Sequence, residues 1–145
     1  MPSHTSPRRR ALPLDPGRPR HLPIELELAS GTRIVVANDL SEVTPWVLFE
    51  QENWFEAELD WLRRVVEPGW QIVDIGANHG VYAATLARAC GPTGRVVACE
   101  PSPQLQERLR QTMRLNGVGQ VALQALALAE APGQGVLGGT EHSET

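Results

Sequence analysis

The chain has 145 residues, 21% of them charged, and a formal net charge of −4, which is enough for one domain with a core of its own. No window approaches the roughly 20 consecutive apolar residues that a membrane-spanning helix needs, so no membrane partner is expected. The two cysteines, Cys90 and Cys99, each sit in an apolar setting. They read as reduced core thiols of a cytoplasmic protein rather than as a disulfide or metal framework.

Residues 1–23 hold six of the twelve prolines and five arginines against one acid, Asp15. This gives them a formal charge of +4 and predicts a disordered basic tail. The remainder then carries −8, and an acidic folded part offers no surface for nucleic acid. Arg8, Arg9 and Arg10 are followed by ALPLDPG instead of an apolar core, which argues against a secretion signal.

Order is expected from Ile24. Ile24, Leu26 and Leu28 alternate with Glu25 and Glu27, the chain turns at Ser30 and Gly31, and a β-branched run follows over 33–37, which together predict a hairpin with one apolar face. Residues 38–45 read as polar loop and 47–49 as a short strand or extended link. Phe55, Leu59, Leu62 and Val66 then recur at helical spacing, predicting a helix over 53–66 with Asn53 as cap and Glu56 completing a capping box. Trp46, Trp54, Trp61 and Trp70 are expected to pack around that helix. Phe49, Glu50, Glu52 and Asn53 form a secondary set for lining a ligand.

Residues 71–75 have the apolar character of a central parallel strand covered on both faces. A glycine turn follows and opens a helix over 79–90, which Gly91-Pro92 stops. A second short apolar strand is predicted over 95–99. Ser102 is the expected cap and Pro103 the first residue of a helix that buries Leu105, Leu109 and Met113 and ends near 115–117. A third strand is expected over 121–128, a weak one at 135–137, and an unstructured end after residue 131.

The chemistry lies in the first strand–turn–helix–strand unit. DIGANHG ends one strand, and Glu100 ends the next, 24 residues beyond Gly76. This is how an α/β protein grips the adenosine half of a cofactor. The turn is DxGxxxG, with Asn78 where a dinucleotide fingerprint has glycine, so a nicotinamide or flavin dinucleotide is disfavoured. A carboxylate at Asp74 disfavours a phosphate and suits an ammonium. Both features match S-adenosylmethionine, whose methionine end carries an ammonium and a carboxylate. Backbone groups over 76–80 would receive that end, and Glu100 would accept from the two ribose hydroxyls. Plainer roles are a turn cap for Asp74, a surface acid for Glu100 and a partly exposed first-turn residue for His79, whose acceptor-facing role is the lesser expectation.

DIGANHG followed by GRVVACEPS resembles the FkbM-type family of class I S-adenosylmethionine-dependent methyltransferases. The likeness extends over about residues 46–131 and includes Arg114-Leu115-Asn116-Gly117 at the end of the second helix. It implies an α/β, Rossmann-like fold in three layers and O-methyl transfer to a small-molecule or sugar hydroxyl. The resemblance implies Asp74, Gly76, Asn78 and Gly80 in the cofactor loop and Glu100 on the ribose. Ile75, Ala77 and Pro101 complete the expected cofactor-binding set, with Gln124. That residue stands where a carboxylate would meet the adenine amino group and reads either as a contact to the base or as a plain strand residue. His79 stands where the family usually has an apolar residue.

Family members continue into further strands that place the acceptor, so the expectation is a domain over 24–131 truncated after its third core strand. No general base can be named, and no His/Cys cluster suggests a metal. The competing reading is a non-catalytic binding or interaction module whose bare sheet edge is covered by a second copy or a partner chain.

Overall fold

The computed structural model describes Pro19 and residues 22–137. The expected basic tail and the final eight residues therefore lie almost wholly outside the described residues. Strand β1 (Pro23–Glu27) buries Ile24 and Leu26 and exposes Glu25 and Glu27, as the alternation requires. It pairs antiparallel with β2 (Arg33–Ala37), Ile24 facing Val36 and Leu26 facing Ile34. Gly31, at φ 75°, allows the tight return between them.

Unlike β1, β2 is buried on both faces from Ile34 to Ala37. Its outer edge is covered by side chains of a later helix, α4 (Pro103–Asn116). Val35 N–H donates to Thr112 Oγ1 at 3.0 Å, and Arg33 N–H to Asn116 Oδ1 at 3.0 Å. Asn116 Nδ2 returns a bond to the Arg33 carbonyl at 2.6 Å, so its amide substitutes for a neighbouring strand.

Residues expected to be loop and extended link form a helix, α1 (Val43–Gln51). Pro45 occupies its first turn, where a missing N–H leaves no bond unmade. The helix ends on Glu52 in a left-handed conformation, φ 53°. Helix α2 (Ala57–Val65) is shorter than the expected 53–66, and its first cap is Glu56 with no side-chain bond, so the Asn53 capping box does not form. Leu59 and Val66 are buried, whereas Phe55 lies ahead of the helix and is 55% exposed. Of the four tryptophans, only Trp54 packs against the core; Trp46, Trp61 and Trp70 are exposed.

The second half is two consecutive β–α–β units. Strands β3 (Gln71–Ile75), β4 (Arg95–Cys99) and β5 (Val121–Gln124) form a parallel sheet in that order. Helix α3 (Val81–Cys90) packs across all three strands, and α4 lies between α3 and the hairpin. The layers therefore run hairpin, helices, parallel sheet. Among the described residues nothing covers the opposite face at β3: Val73 is 63% and Ile75 54% exposed, so β3 is covered on one face rather than two. Among the described residues β3 pairs only with β4, which makes it an edge strand.

Helix α4 starts as expected, with Ser102 Oγ accepting from Leu105 N–H and Pro103 in the first turn, and stops at Gly117 with φ 63°. Strand β5 ends four residues before the predicted boundary, and residues 135–137 form no strand. Ile34, Val36, Leu48, Val96 and Leu109 are fully enclosed and form the centre of the core.

Candidate functional site

The site grows from the end of β3. Gly76 (φ 76°), Asn78 (φ 49°) and Gly80 (φ 88°) are all left-handed, so the chain reverses at every second residue. Asn tolerates that region better than other side chains, which is why DIGANHG can dispense with a glycine at 78. The turn is pinned on both sides. Gly76 and Ala77 N–H both donate to the Cys99 carbonyl, at 2.9 and 3.0 Å, and Gly80 N–H donates to the Ala77 carbonyl at 2.7 Å. At Gly80 α4 comes so close that a Cβ would stand 2.3 Å from Leu109 Cδ1.

Asp74 points its carboxylate under the start of α3, where the Ala83 N–H donates to it. Helix α3 has no side-chain cap from Gly80, its own cap residue, so Asp74 takes that part from the preceding strand. The turn-cap reading is therefore correct for one half of the carboxylate. Its Oδ2 is buried and has no hydrogen-bond partner among the described residues. Burial pushes the pKa up from 3.8 to about 6; the Ala83 bond opposes this and the Glu100 charge adds to it.

Glu100 is no surface acid: it is 5% exposed. Its Oε2 accepts from Asn78 N–H at 3.0 Å and its Oε1 from Ser102 N–H at 2.8 Å. One carboxylate thus joins the turn after β3 to the turn after β4. The peptide beyond it is held by Gln106 Nε2, which donates to the Glu100 carbonyl at 2.9 Å and to that of Pro101 at 3.3 Å. Each carboxylate oxygen keeps a lone pair for a further donor.

A cleft of about 390 Å³ opens above the turn. Its lining takes Asp74 to His79, Val81 and Tyr82 from the turn and the start of α3, and Thr44, Trp54, Glu56 and Glu58 from the segment ahead of β3. Asn78 Oδ1 is a second buried acceptor with no partner among the described residues. Glu100, Pro101, Gly80 and Gln124 are not in the lining. Glu100 binds the Asn78 N–H of the turn, Gly80 closes the turn against α4, and Gln124 ends β5 exposed, its carbonyl accepting from Glu100 N–H at 3.0 Å.

The part of the lining ahead of β3 was missed by the sequence reading, which proposed Phe49, Glu50, Glu52 and Asn53 instead. Those residues sit at the end of α1 and just beyond it, outside the lining. Glu56, expected in a capping box, instead accepts from Trp54 Nε1 at 2.8 Å and from the Tyr82 hydroxyl, which also lies 2.8 Å from Glu58 Oε1. The Tyr82 bond, then the Trp54 bond, hold the Glu56 pKa below its usual value. Burial and these two carboxylates drive the Tyr82 hydroxyl far above the usual phenol range. One signal was available: Tyr82 is the only tyrosine in the chain and follows the turn by two residues.

His79 also departs from expectation. It is fully buried rather than partly exposed, precedes α3, and has its Nε2 3.2 Å from Arg108 Nη1. Burial first, and the Arg108 charge second, push its pKa down to about 3, so the ring is neutral.

Comparison with known proteins agrees with this architecture. The chain is 39% identical over 51 residues to a protein-L-isoaspartate O-methyltransferase of Aeropyrum pernix, covering 35% of this chain and 20% of that protein. It is 36% identical over 58 residues to a ribosomal protein L11 methyltransferase of Burkholderia mallei, covering 40% and 19%. The chain thus spans about a fifth of the length of these curated relatives. A crystal structure described as a transferase from Pyrococcus horikoshii superposes with a TM-score of 0.54 at 16% identity, over 74% of this chain and 37% of that one, a likeness of fold alone. The fold is the Rossmann-like α/β fold of class I methyltransferases. Residues 74–143 match the methyltransferase FkbM domain, the family that the motifs around Asp74 and Glu100 resemble.

Proposed function

We propose that this chain binds S-adenosylmethionine and serves O-methyl transfer to a small-molecule or sugar hydroxyl. The observation that carries the reading is Asp74 Oδ2, a buried acceptor at the carboxyl end of β3 that the protein leaves unpartnered among the described residues and that lines the cleft. A buried anionic oxygen is costly unless a donor meets it, and an ammonium is a fitting donor. Asn78 Oδ1 adds a second acceptor in the same wall. Two acceptors and no lining lysine or arginine suit an ammonium far better than a pyrophosphate.

In this reading Asp74 and the backbone over 76–80 hold the methionine end, and Glu100 and Pro101 hold the ribose, with Gln124 toward the base. The cofactor supplies an electrophilic methyl on a sulfonium; the chain's contribution is to place an acceptor oxygen in line with it. Glu56 and Glu58 offer acceptors for substrate hydroxyls in the same lining. O-methyl chemistry has support from the name of the isoaspartate relative. The L11 relative is named for a protein substrate, so an acceptor screen should include proteins as well as sugars. A cytoplasmic setting belongs to this reading and is supported by the two free thiols. Calorimetric titration of the wild-type chain with S-adenosylmethionine and S-adenosylhomocysteine tests the binding step, and heats for neither would reject it.

The bare sheet face favours one other reading, a cofactor-binding module completed by a second chain. Val73 and Ile75 are exposed on a strand that has one unpaired edge among the described residues, which is where a partner would add. Light scattering combined with a methyl-transfer assay separates the two. A stable dimer or hetero-complex without turnover supports the module, and turnover by the monomer rejects it.

A further inference from the structure

The turn that would receive the methionine end is gripped from behind by α4 at two adjacent points. One is steric: Gly80 is pressed against Leu109 and Met113, with no room for a Cβ. The other is polar. Arg108, only 8% exposed, directs Nη1 to His79 Nε2 at 3.2 Å, and the same nitrogen lies 3.8 Å from Glu42 Oε2 just ahead of α1. A guanidinium has donors and no acceptor. His79 Nε2 must therefore be the acceptor, and the neutral ring carries its proton on Nδ1. A buried charge is tolerable only when compensated, and here Glu42 supplies the opposite charge while the imidazole supplies a lone pair.

His79 stands between the two left-handed residues Asn78 and Gly80. Its ring orientation is thus coupled to the peptide that carries Asn78, whose N–H meets Glu100 and whose Oδ1 lies in the cleft wall. We infer that Arg108, acting through His79, is a positioning residue for the cofactor turn. This inference rests on the S-adenosylmethionine reading. Where the FkbM-type pattern has an apolar residue, this chain places a polar pair spanning the turn and α4. Arg108 also faces Glu42, so its loss removes the compensating charge there as well as the donor to His79.

The test uses the full chain and two readouts. S-adenosylhomocysteine affinity is measured by calorimetry for wild type, R108M, H79L and the R108M/H79L double variant. The His79 tautomer is read from the ring 15N shifts of labelled protein, with H79L providing the assignment. The wild-type ring is expected as the Nδ1–H tautomer from pH 5 to 8, and R108M is expected to lose that tautomer. R108M should bind about tenfold more weakly, and adding R108M to H79L should cost little affinity beyond H79L alone, as expected of a residue that acts through another. R108K, which keeps the charge and a donor, should fall between and replaces R108M if the latter fails to fold.

Wild-type affinity in a folded R108M or R108K, a loss in the double variant equal to the sum of the two single losses, or an Nε2–H tautomer in the wild type would overturn the positioning role. Absence of wild-type binding would instead overturn the cofactor reading, and the positioning role with it. The two failures are therefore told apart by the wild-type titration alone.

Discussion

Glu100 accepts the backbone N–H of Asn78 at 3.0 Å, so the acid that ends β4 and the turn that ends β3 are one hydrogen-bonded unit. Replacing Glu100 by alanine strands the N–H groups of both Asn78 and Ser102. Each orphaned buried donor costs about 1–3 kcal/mol, so E100A should lose stability as well as affinity. E100Q keeps one carbonyl acceptor and should lose roughly half as much. Urea unfolding of both variants checks the first expectation. Calorimetry with S-adenosylhomocysteine then isolates the ribose contact: affinity in E100Q equal to wild type would remove Glu100 from the cofactor set.

Asp74 should make both stability and binding depend on pH, in opposite directions. Its folded pKa of about 6 lies above its ordinary 3.8, so between those values the folded chain binds more protons than the unfolded one. Stability from this group is therefore full below pH 3.8, falls as pH rises through the window, and is lost above 6. D74N should be more stable than wild type at pH 7.5, by up to about 3 kcal/mol, and no more stable at pH 3.5. An ammonium ligand needs the ionised form, so wild-type affinity for S-adenosylhomocysteine should weaken on acidification through pH 6 while the D74N titration stays flat. A D74N variant less stable than wild type at pH 7.5 would contradict the burial account.

Two glycines of the turn share a backbone sign but differ in their surroundings. Gly80 has φ 88° and Leu109 Cδ1 only 2.3 Å from where a Cβ would stand; Gly76 has φ 76° and nothing within 4 Å. G76A should cost only the left-handed strain, about 1–2 kcal/mol. G80A adds overpacking against α4 and should cost about 1–3 kcal/mol more. Thermal unfolding of the pair measures the difference, and equal losses would mean that α4 can yield at Gly80.

The hairpin should loosen when Asn116 is cut back. N116A removes the acceptor for Arg33 N–H and the donor to its carbonyl, two bonds worth roughly 1–2 kcal/mol together. Hydrogen exchange should show the Arg33 amide losing protection while amides of β3 and β4 keep theirs. Uniform loss across all strands would instead mean that hairpin and parallel sheet unfold as one unit.

Elements with a local cause were legible in the sequence. Ser102-Pro103 and Gly117 bracket α4, and the alternation of Ile24, Leu26 and Leu28 gives β1, because capping groups and side-chain periodicity act within a few residues. Helix α1 was missed because Pro45 reads as a breaker unless it falls in a first turn, and nothing nearby shows that it does. The Asn53 cap failed for a long-range reason: Glu56 is drawn to Tyr82, 26 positions away. Asp74 and Glu100 stand out at their strand ends, but their partners do not. That Glu100 binds the turn itself, and that His79 meets Arg108, depend on how α3 and α4 pack, which no local pattern encodes. The covered second face expected for β3 followed from its composition alone, and an apolar strand looks the same whether or not its neighbours are present.

The bonds between Arg33 and Asn116 join positions 83 residues apart, and this sets a timetable for synthesis. The hairpin leaves the ribosome ahead of the helix that covers the edge of β2, which is the last of the described helices to be translated. At about 5–20 residues per second, roughly 4–16 seconds pass before Asn116 follows Arg33 out. During that interval Ile24, Leu26, Ile34 and Val36 have no layer to pack on, and an isolated two-stranded hairpin is barely stable in water. A nascent chain is therefore expected to present a chaperone-binding segment at the hairpin, one that disappears when α4 emerges.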